Sequence, residues 1–247
     1  MDALPQYLAR NGMKKTENKY TEFALPFFSV IITAYNRAAL LKRALNSLMA
    51  QTENDWEAIV IDDGSTDGAA LQISSYLKLS NKINFIRQES KGATGSKNEG
   101  ILLSTGTFIT FLDSDDEYSP LHLETRKKIL EENPSVEFLY GGVNVIGSQY
   151  VPDMFDYGKM IHLSDCVIGG SFFVRRQLAW SLKGFRDMPL GSDADFFNRV
   201  NKAGAIIIKT EAPTYIYHRE TANSITNNLT GCEELPRLTK KAGAAFA

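Results

Sequence analysis

Residues 111–118 read FLDSDDEY, setting Asp113, Asp115 and Asp116 at the end of a strongly apolar run. Carboxylates this close repel one another and raise their own pKa values unless a cation offsets the charge. Side chains alternate along an extended stretch, so Asp113 and Asp115, on either side of Ser114, point the same way. Hard oxygen ligands suit Mg2+ or Mn2+, and Mg2+ is typically held by one or two carboxylates with substrate phosphates. The spacing therefore suggests a divalent ion that bridges the protein to a diphosphate.

Two other polar stops follow buried runs. TAYN (33–36) brings Thr33, Tyr35 and Asn36, and IDDGSTD (61–67) brings Asp62, Asp63 and Ser65. Taken singly, each is also ordinary turn chemistry, because Asp, Asn, Gly and Ser dominate loops. Their shared position, each at the carboxyl end of a strand, points instead to one ligand crevice.

The elements that must position these residues have a regular rhythm. FFSVIITAY (27–35), WEAIVI (56–61), INFIRQ (83–88) and TFITFL (107–112) are continuous apolar, β-branched runs, the pattern of strands buried on both faces. Between them lie helical stretches, one carrying Leu40, Leu41, Ala44, Leu45 and Leu48 at helical spacing, another capped by Asp67, a third entered through GATGSK. This alternation predicts βαβ units and a largely parallel α/β sheet. After Pro120 the expectations are a helix (HLETRKKILEEN), a strand (EFLYGGVNVIG), and a loop or edge segment over 148–163. Next come a short strand and helix in VIGGSFFVRRQLAWSLKGF, a helix in SDADFFNRVNKAG and a strand in AIIIKT. Neither G-x-x-x-x-G-K-[ST] nor G-x-G-x-x-G occurs, which argues against a P-loop NTPase and a dinucleotide-binding domain.

The chain has 247 residues, 43% hydrophobic and 23% charged, with a net charge of −2, an ordinary globular composition. That balance gives no sign of nucleic-acid binding, so an anionic ligand must be held by a local site or a metal. Cys166 and Cys232 lack metal-ligand spacing and are too few for a disulfide framework, which makes a reducing cytoplasm the default. The polar N-terminus argues against a secretory signal. No apolar run approaches the roughly 20 residues that cross a bilayer. The NLT sequon at 228–230 carries little weight in that setting.

FSVIITAYNR, IVIDDGSTD, GATGSKNEGI, GTFITFLDSDDEY and GSDADFFNRVNKAG occur in the order and approximate spacing of the family 2 glycosyltransferases. The resemblance covers roughly residues 27–226 and implies a GT-A fold, with a Rossmann-like, mostly parallel sheet flanked by helices. It sets residues 1–26 apart as an N-terminal extension and 227–247 as a C-terminal tail. Within the domain, 27–118 would bind the nucleotide sugar and 119–226 the acceptor.

The implied enzyme moves a sugar from a nucleoside diphosphate, UDP by default, to an acceptor hydroxyl with inversion. Thr33, Tyr35 and Asn36 would line the nucleoside pocket, and Asp62 would meet the base with Asp63 and Ser65 beside it. Asp113 and Ser114 fall on the donor side, and Asp115 would hold Mn2+ or Mg2+. Lys97 stands where many members carry Arg; it keeps the charge but loses the planar fork. Asp193 matches the general base, with an N-cap role as the alternative, and Asp195 would cap or pack within its helix. Ser192 replaces a Glu common in the family. His218 would contact the diphosphate or complete the metal shell, or else be a structural histidine. His122 and His162 read as non-catalytic, Trp180 and Phe185 as core, and Asp116 has no role beyond proximity. The glycines of IGGSFFVRR would let backbone approach the sugar, or serve close strand packing.

A saccharide or a lipid-linked saccharide is the expected acceptor, in polysaccharide or glycoconjugate synthesis. Peripheral attachment at the inner face of the membrane and a homodimer stay open. A nucleotide-sugar-binding protein without turnover is the alternative function. A sugar-phosphate nucleotidyltransferase is a more distant one, because TAYNRAALLKRAL has no glycine-rich loop after the first strand.

Overall fold

The computed structural model describes residues 25–220 apart from 155, 157 and 189. The expected C-terminal tail, and all of the expected N-terminal extension but its last two residues, lie outside the described residues. The first half alternates β1 (Phe28–Ala34), α1 (Ala38–Met49), β2 (Trp56–Asp62), α2 (Ala69–Leu79), β3 (Ile83–Arg87), α3 (Gly92–Leu103) and β4 (Phe108–Phe111). The second half contains β5 (Glu117–Tyr118), α4 (His122–Glu132), β6 (Phe138–Ile146), β7 (Tyr150–Pro152), β8 (Met160–His162), β9 (Phe173–Arg175), α5 (Arg176–Ser181), α6 (Ser192–Lys202) and β10 (Ile207–His218).

The main sheet runs β3-β2-β1-β4-β9-β6-β10-β5. β1, β2, β3 and β4 are mutually parallel, and so are β6 and β10, while β9 runs against both of its neighbours. The register pairs Ala34 with Asp62 and Asp62 with Arg87, so the strands end together on one rim. β1 is buried on both faces because its side chains serve two cores. Phe28, Val30 and Ile32 pack with Leu41, Leu45 and Leu48 of α1 on one side, and Ile31 packs with Ile101 of α3 and Phe196 of α6 on the other. α3 lies close to β1 because residue 100 is glycine: a Cβ there would sit 2.4 Å from the Ile31 side chain.

Several expectations shift in detail. The 148–163 segment contains an antiparallel ladder, Tyr150 opposite His162. The last strand does not stop at Thr210 but continues to His218, with its register against β6 shifting between Thr210 and Tyr215. Pro213 lies in that irregularity, where a missing N–H costs no ladder bond. Asp67 serves two helices, accepting from the Ala69 N–H at 3.2 Å and from the Ala38 N–H at 2.7 Å. Trp180 is not core: it is 44% exposed, because its indole lies on the surface and donates to the Ile101 carbonyl at 3.0 Å. Phe185 is buried and stacks on Phe196 at 4.6 Å. His122 is fully buried, its Nδ1 2.8 Å from Thr214 Oγ1.

One contact fastens α3 to the segment between α5 and α6. The Asn98 amide donates to the Phe185 carbonyl at 2.8 Å, and its oxygen accepts from the Phe185 N–H at 2.7 Å. Asn98→Ala leaves both backbone groups of Phe185 without these partners. The expected result is a loss of about 2 kcal/mol in urea unfolding, whereas an unchanged midpoint would show that water replaces the amide.

Candidate active site

The rim of the sheet gathers the motifs that the sequence singled out. The loop after β1 is pinned to the loop after β2: the Asn36 N–H donates to Ser65 Oγ at 2.9 Å, and Asn36 Oδ1 accepts from the Thr66 N–H at 2.8 Å. Asn36 holds this place with φ at 51°, a conformation Asn tolerates better than most residues. Tyr35 beside it is 55% exposed, its ring presented to solvent. Thr33 is half-buried at the end of β1.

Asp62 and Asp63 are adjacent but differently employed. Asp62 Oδ1 accepts from the Ser65 N–H at 3.0 Å. Its Oδ2 is buried without a hydrogen bond, 3.7 Å from Arg87 Nε. Asp63 is saturated: Oδ1 accepts from Gln88 Nε2 at 2.7 Å and the Lys91 N–H at 2.8 Å, and Oδ2 accepts from Ser90 Oγ at 2.8 Å and the Gly92 N–H at 2.9 Å. Burial opposes the charge of Asp63, but these donors outweigh it and hold the carboxyl below its usual range. Asp63 therefore anchors the entry to α3, and this structure leaves it no oxygen for a base.

The acids after β4 each have a different partner. Lys97 Nζ lies 3.4 Å from Asp113 Oδ1 and 4.0 Å from Asp193 Oδ1, over the rings of Phe111 and Phe185. Burial disfavours the ammonium, yet Asp113, Asp193 and Asp116 outweigh that cost and raise its pKa, so it stays protonated. Asp115 pairs through its carboxylate with Arg37 and through its carbonyl with Arg43. Burial and the charge of Asp113 still raise its pKa, against the pull of Arg37. Ser114 is buried between these two acids. Asp116 is 1% exposed and accepts from Tyr215 Oη at 2.6 Å and the His218 N–H at 2.8 Å. Burial, then the charges of Asp113 and Asp115, push its carboxyl well up.

Asp193 approaches the same ammonium from α6. It lies in the first turn of the helix, whose N-cap position is Gly191, so it does not cap through its side chain. Its Oδ2 accepts from the Gly169 N–H at 3.0 Å, and its Oδ1 is buried without a hydrogen bond. A Cβ at Gly169 would lie 2.5 Å from this carboxylate, so only glycine permits the approach. Asp195 instead pairs with Arg199 at 2.8 Å and Arg186 at 3.2 Å, packing on its own helix.

Both ring nitrogens of His218 are engaged by glutamates. Its Nε2 lies 2.7 Å from Glu117 Oε1 and its Nδ1 3.2 Å from Glu220 Oε1. No group of three or more His, Cys, Asp or Glu side chains is arranged to hold a metal ion among the described residues. Asp113 and Asp115 still fit the smaller demand of a cation shared with a ligand's phosphates: their repulsion persists beside Arg37, and their donors are hard oxygens. The sequence reading missed Arg37, Arg43, Tyr215 and Glu117. Arg37 directly follows TAYN, and Tyr215 stands an odd number of residues before His218, on the opposite face of the strand by simple alternation.

The profile of Glycosyl transferase family 2 matches residues 29–158. The chain belongs to this family. It is 30% identical over 148 residues to the Escherichia coli UDP-Glc:alpha-D-GlcNAc-diphosphoundecaprenol beta-1,3-glucosyltransferase WfgD, covering 57% of this chain and 56% of that protein. An uncharacterized glycosyltransferase of Nostoc sp. is 37% identical over 113 residues, 45% of this chain and 35% of that one. The chain thus matches about half, or less, of these relatives' own length. Among solved structures, S. aureus TarS 1-349 in complex with UDP-GlcNAc superposes with a TM-score of 0.68 at 21% identity, over 80% of this chain and 60% of that one. The mannosyltransferase PcManGT from Pyrobaculum calidifontis, in complex with GDP-Man and Mn2+, gives 0.63 at 20% identity over 86% and 63%. These likenesses establish the GT-A fold for the family 2 chain. The profile ends at residue 158, so Asp193 and His218 lie outside the matched segment.

The Asp63 anchor of this family 2 fold has a testable pH signature. A carboxyl whose folded pKa is lowered stabilises the fold above its ordinary pKa, and that stability is lost as pH falls through the folded value. Asp63→Asn is expected to cost about 2 kcal/mol at neutral pH. In denaturant titrations at descending pH, the gap to wild type narrows below the ordinary carboxylate range; a gap that stays constant to strong acid would contradict the assignment.

Proposed function

We propose that this chain is an inverting glycosyltransferase that moves a sugar from a nucleoside diphosphate to an acceptor hydroxyl, in glycan or polysaccharide synthesis. The observation that carries the proposal is Lys97, which draws Asp113 of the strand-end acids and Asp193 of α6 to one ammonium. A donor-side acid and a candidate base thereby face one crevice. UDP is the nucleotide assigned by default; WfgD is named for a UDP-Glc donor, and TarS was solved with UDP-GlcNAc.

The residues divide the work as follows. Asp62 Oδ2, buried without a hydrogen bond, would accept from the base, and the exposed Tyr35 ring would cover the nucleoside. Asp113 and Asp115 would hold Mn2+ or Mg2+, and such an ion, when bound, supplies positive charge to the departing diphosphate. Lys97 adds a fixed cation nearby. The acceptor oxygen forms its bond to the anomeric carbon on the face opposite the diphosphate, whose bond breaks, and the hydroxyl proton passes to Asp193 Oδ1. The Gly169 N–H holds the other oxygen of Asp193, so Oδ1 is the one left to take a proton. His218, held between two glutamates, would assist only by supporting Glu117 of β5. A saccharide or lipid-linked saccharide is the acceptor assigned here. Among the described residues, no helix is long and apolar enough to cross a membrane.

Two substitutions separate donor binding from chemistry. Asp115→Ala is expected to abolish the Mn2+-dependent thermal stabilisation by UDP-sugars or GDP-sugars. Asp193→Ala is expected to keep that stabilisation while transfer and donor hydrolysis fall at least about 1,000-fold. Near wild-type turnover in Asp193→Ala would remove the base assignment. Donor binding without any turnover in the wild type would favour a nucleotide-sugar-binding protein.

A further inference from the structure

The described residues hold a carboxylate that the reaction above does not use. Asp116 is buried among like charges, next to Asp115 and near Asp113, a costly place for an acid without a task. Both of its oxygens are filled by β10: Tyr215 Oη donates to one at 2.6 Å and the His218 N–H to the other at 2.8 Å. Tyr215 is itself fully buried, so its hydroxyl has a fixed position. That hydroxyl lies against the backbone of Gly170, where a Cβ would sit 2.0 Å from Tyr215 Oη. Gly170 belongs to a short 3-10 turn, Gly169–Ser171, and the Gly169 N–H of that turn is the donor to Asp193 Oδ2.

We propose that Asp116 and Tyr215 are positioning residues that join the strand-end acid loop to the turn orienting Asp193. The inference rests on the base assignment made above. Asp116 fixes the Tyr215 hydroxyl, the hydroxyl buttresses the backbone of Gly170, and the turn presents the Gly169 N–H to the base. Side chains at 169 or 170 would break the sequence of contacts, one by striking Asp193 and the other by striking Tyr215. The arrangement makes the distance between donor acids and base a property of packed backbone rather than of a flexible side chain. A misplacement of one ångström in such geometry costs about a hundredfold in rate.

Tyr215→Phe deletes only the hydroxyl and keeps the ring in the core, so it is the primary test, with Asp116→Asn as the second variant. UDP-glucose, UDP-GlcNAc and GDP-mannose with Mn2+ serve as donors, and hydrolysis to water is followed. The expected result for Tyr215→Phe is a fall in kcat of about tenfold or more, with the donor KM within about twofold of wild type. A purely structural loss would instead lower the active fraction, which active-site titration reports. A kcat within about twofold of wild type, or a donor KM that rises as kcat falls, overturns the proposal. Hydrogen exchange provides a readout without any substrate. Peptides covering 168–171 are expected to exchange about tenfold faster in both variants, while peptides covering 28–34 keep their protection. Unchanged exchange over 168–171 overturns the proposal even where no donor is hydrolysed. Asp193→Asn, run in parallel, reports on the base assignment by itself: if it retains turnover, that reading fails irrespective of what Tyr215→Phe does.

Discussion

A single buried ammonium sets the terms for the rim of this sheet. Lys97 is 11% exposed, and its charge is retained because Asp113 and Asp193 stand on either side of it. The dependence runs both ways, since the ammonium offsets the repulsion between two acids brought together from opposite halves of the chain. An ammonium is a compact charge on a flexible stem and does not enforce the planar two-point geometry of a guanidinium. Position 97 is thus occupied by a group that balances two carboxylates without locking either.

Around that centre, the strand-end acids are distinguished less by their exposure than by what fills their lone pairs. Asp63 and Asp116 have both oxygens occupied by donors of the protein, and each fastens one loop to another element. Asp62 and Asp193 each have one oxygen held by a backbone N–H and a second that is buried and unfilled. In a close-packed interior an unfilled acceptor is costly. Hydrogen-bond accounting thus divides these acids into two that are saturated by the protein and two that each keep one unfilled oxygen.

Much of this was legible in the sequence. The apolar, β-branched runs before TAYN, DDGSTD and LDSDD read as buried strands of a largely parallel sheet, and the structure ends them on one rim. The helix placing Asp193 was readable from GSDADFF, although the capping role was not realised because Gly191 takes that position. The individual partners were not legible. Asp62 and Asp63 are neighbours of one residue type, and only the folded loop over 87–92 decides that Asp63 is saturated. Tyr215 and Asp116 lie far apart in sequence and are brought together by β10 pairing with β5, a contact that no local pattern encodes. Trp180 failed as a core residue: its helix buries Leu178 and Ala179, while the indole lies at the surface and donates to the Ile101 carbonyl.

The reversed strand β9 has one more consequence. Among the described residues, the parallel strands β1–β4 meet β6 and β10 within the main sheet through β9 alone. It pairs with β4 over Phe108–Thr110 and with β6 over Phe138 and Leu139, partners that precede it by many residues. During synthesis both partners emerge first, and each waits with an open edge. The seam between the two halves therefore rests on a three-residue strand whose contacts are long-range in sequence. Without it, β4 and β6 would each present an unpaired strand edge, so three residues, Phe173–Arg175, cover an edge on both halves of the sheet.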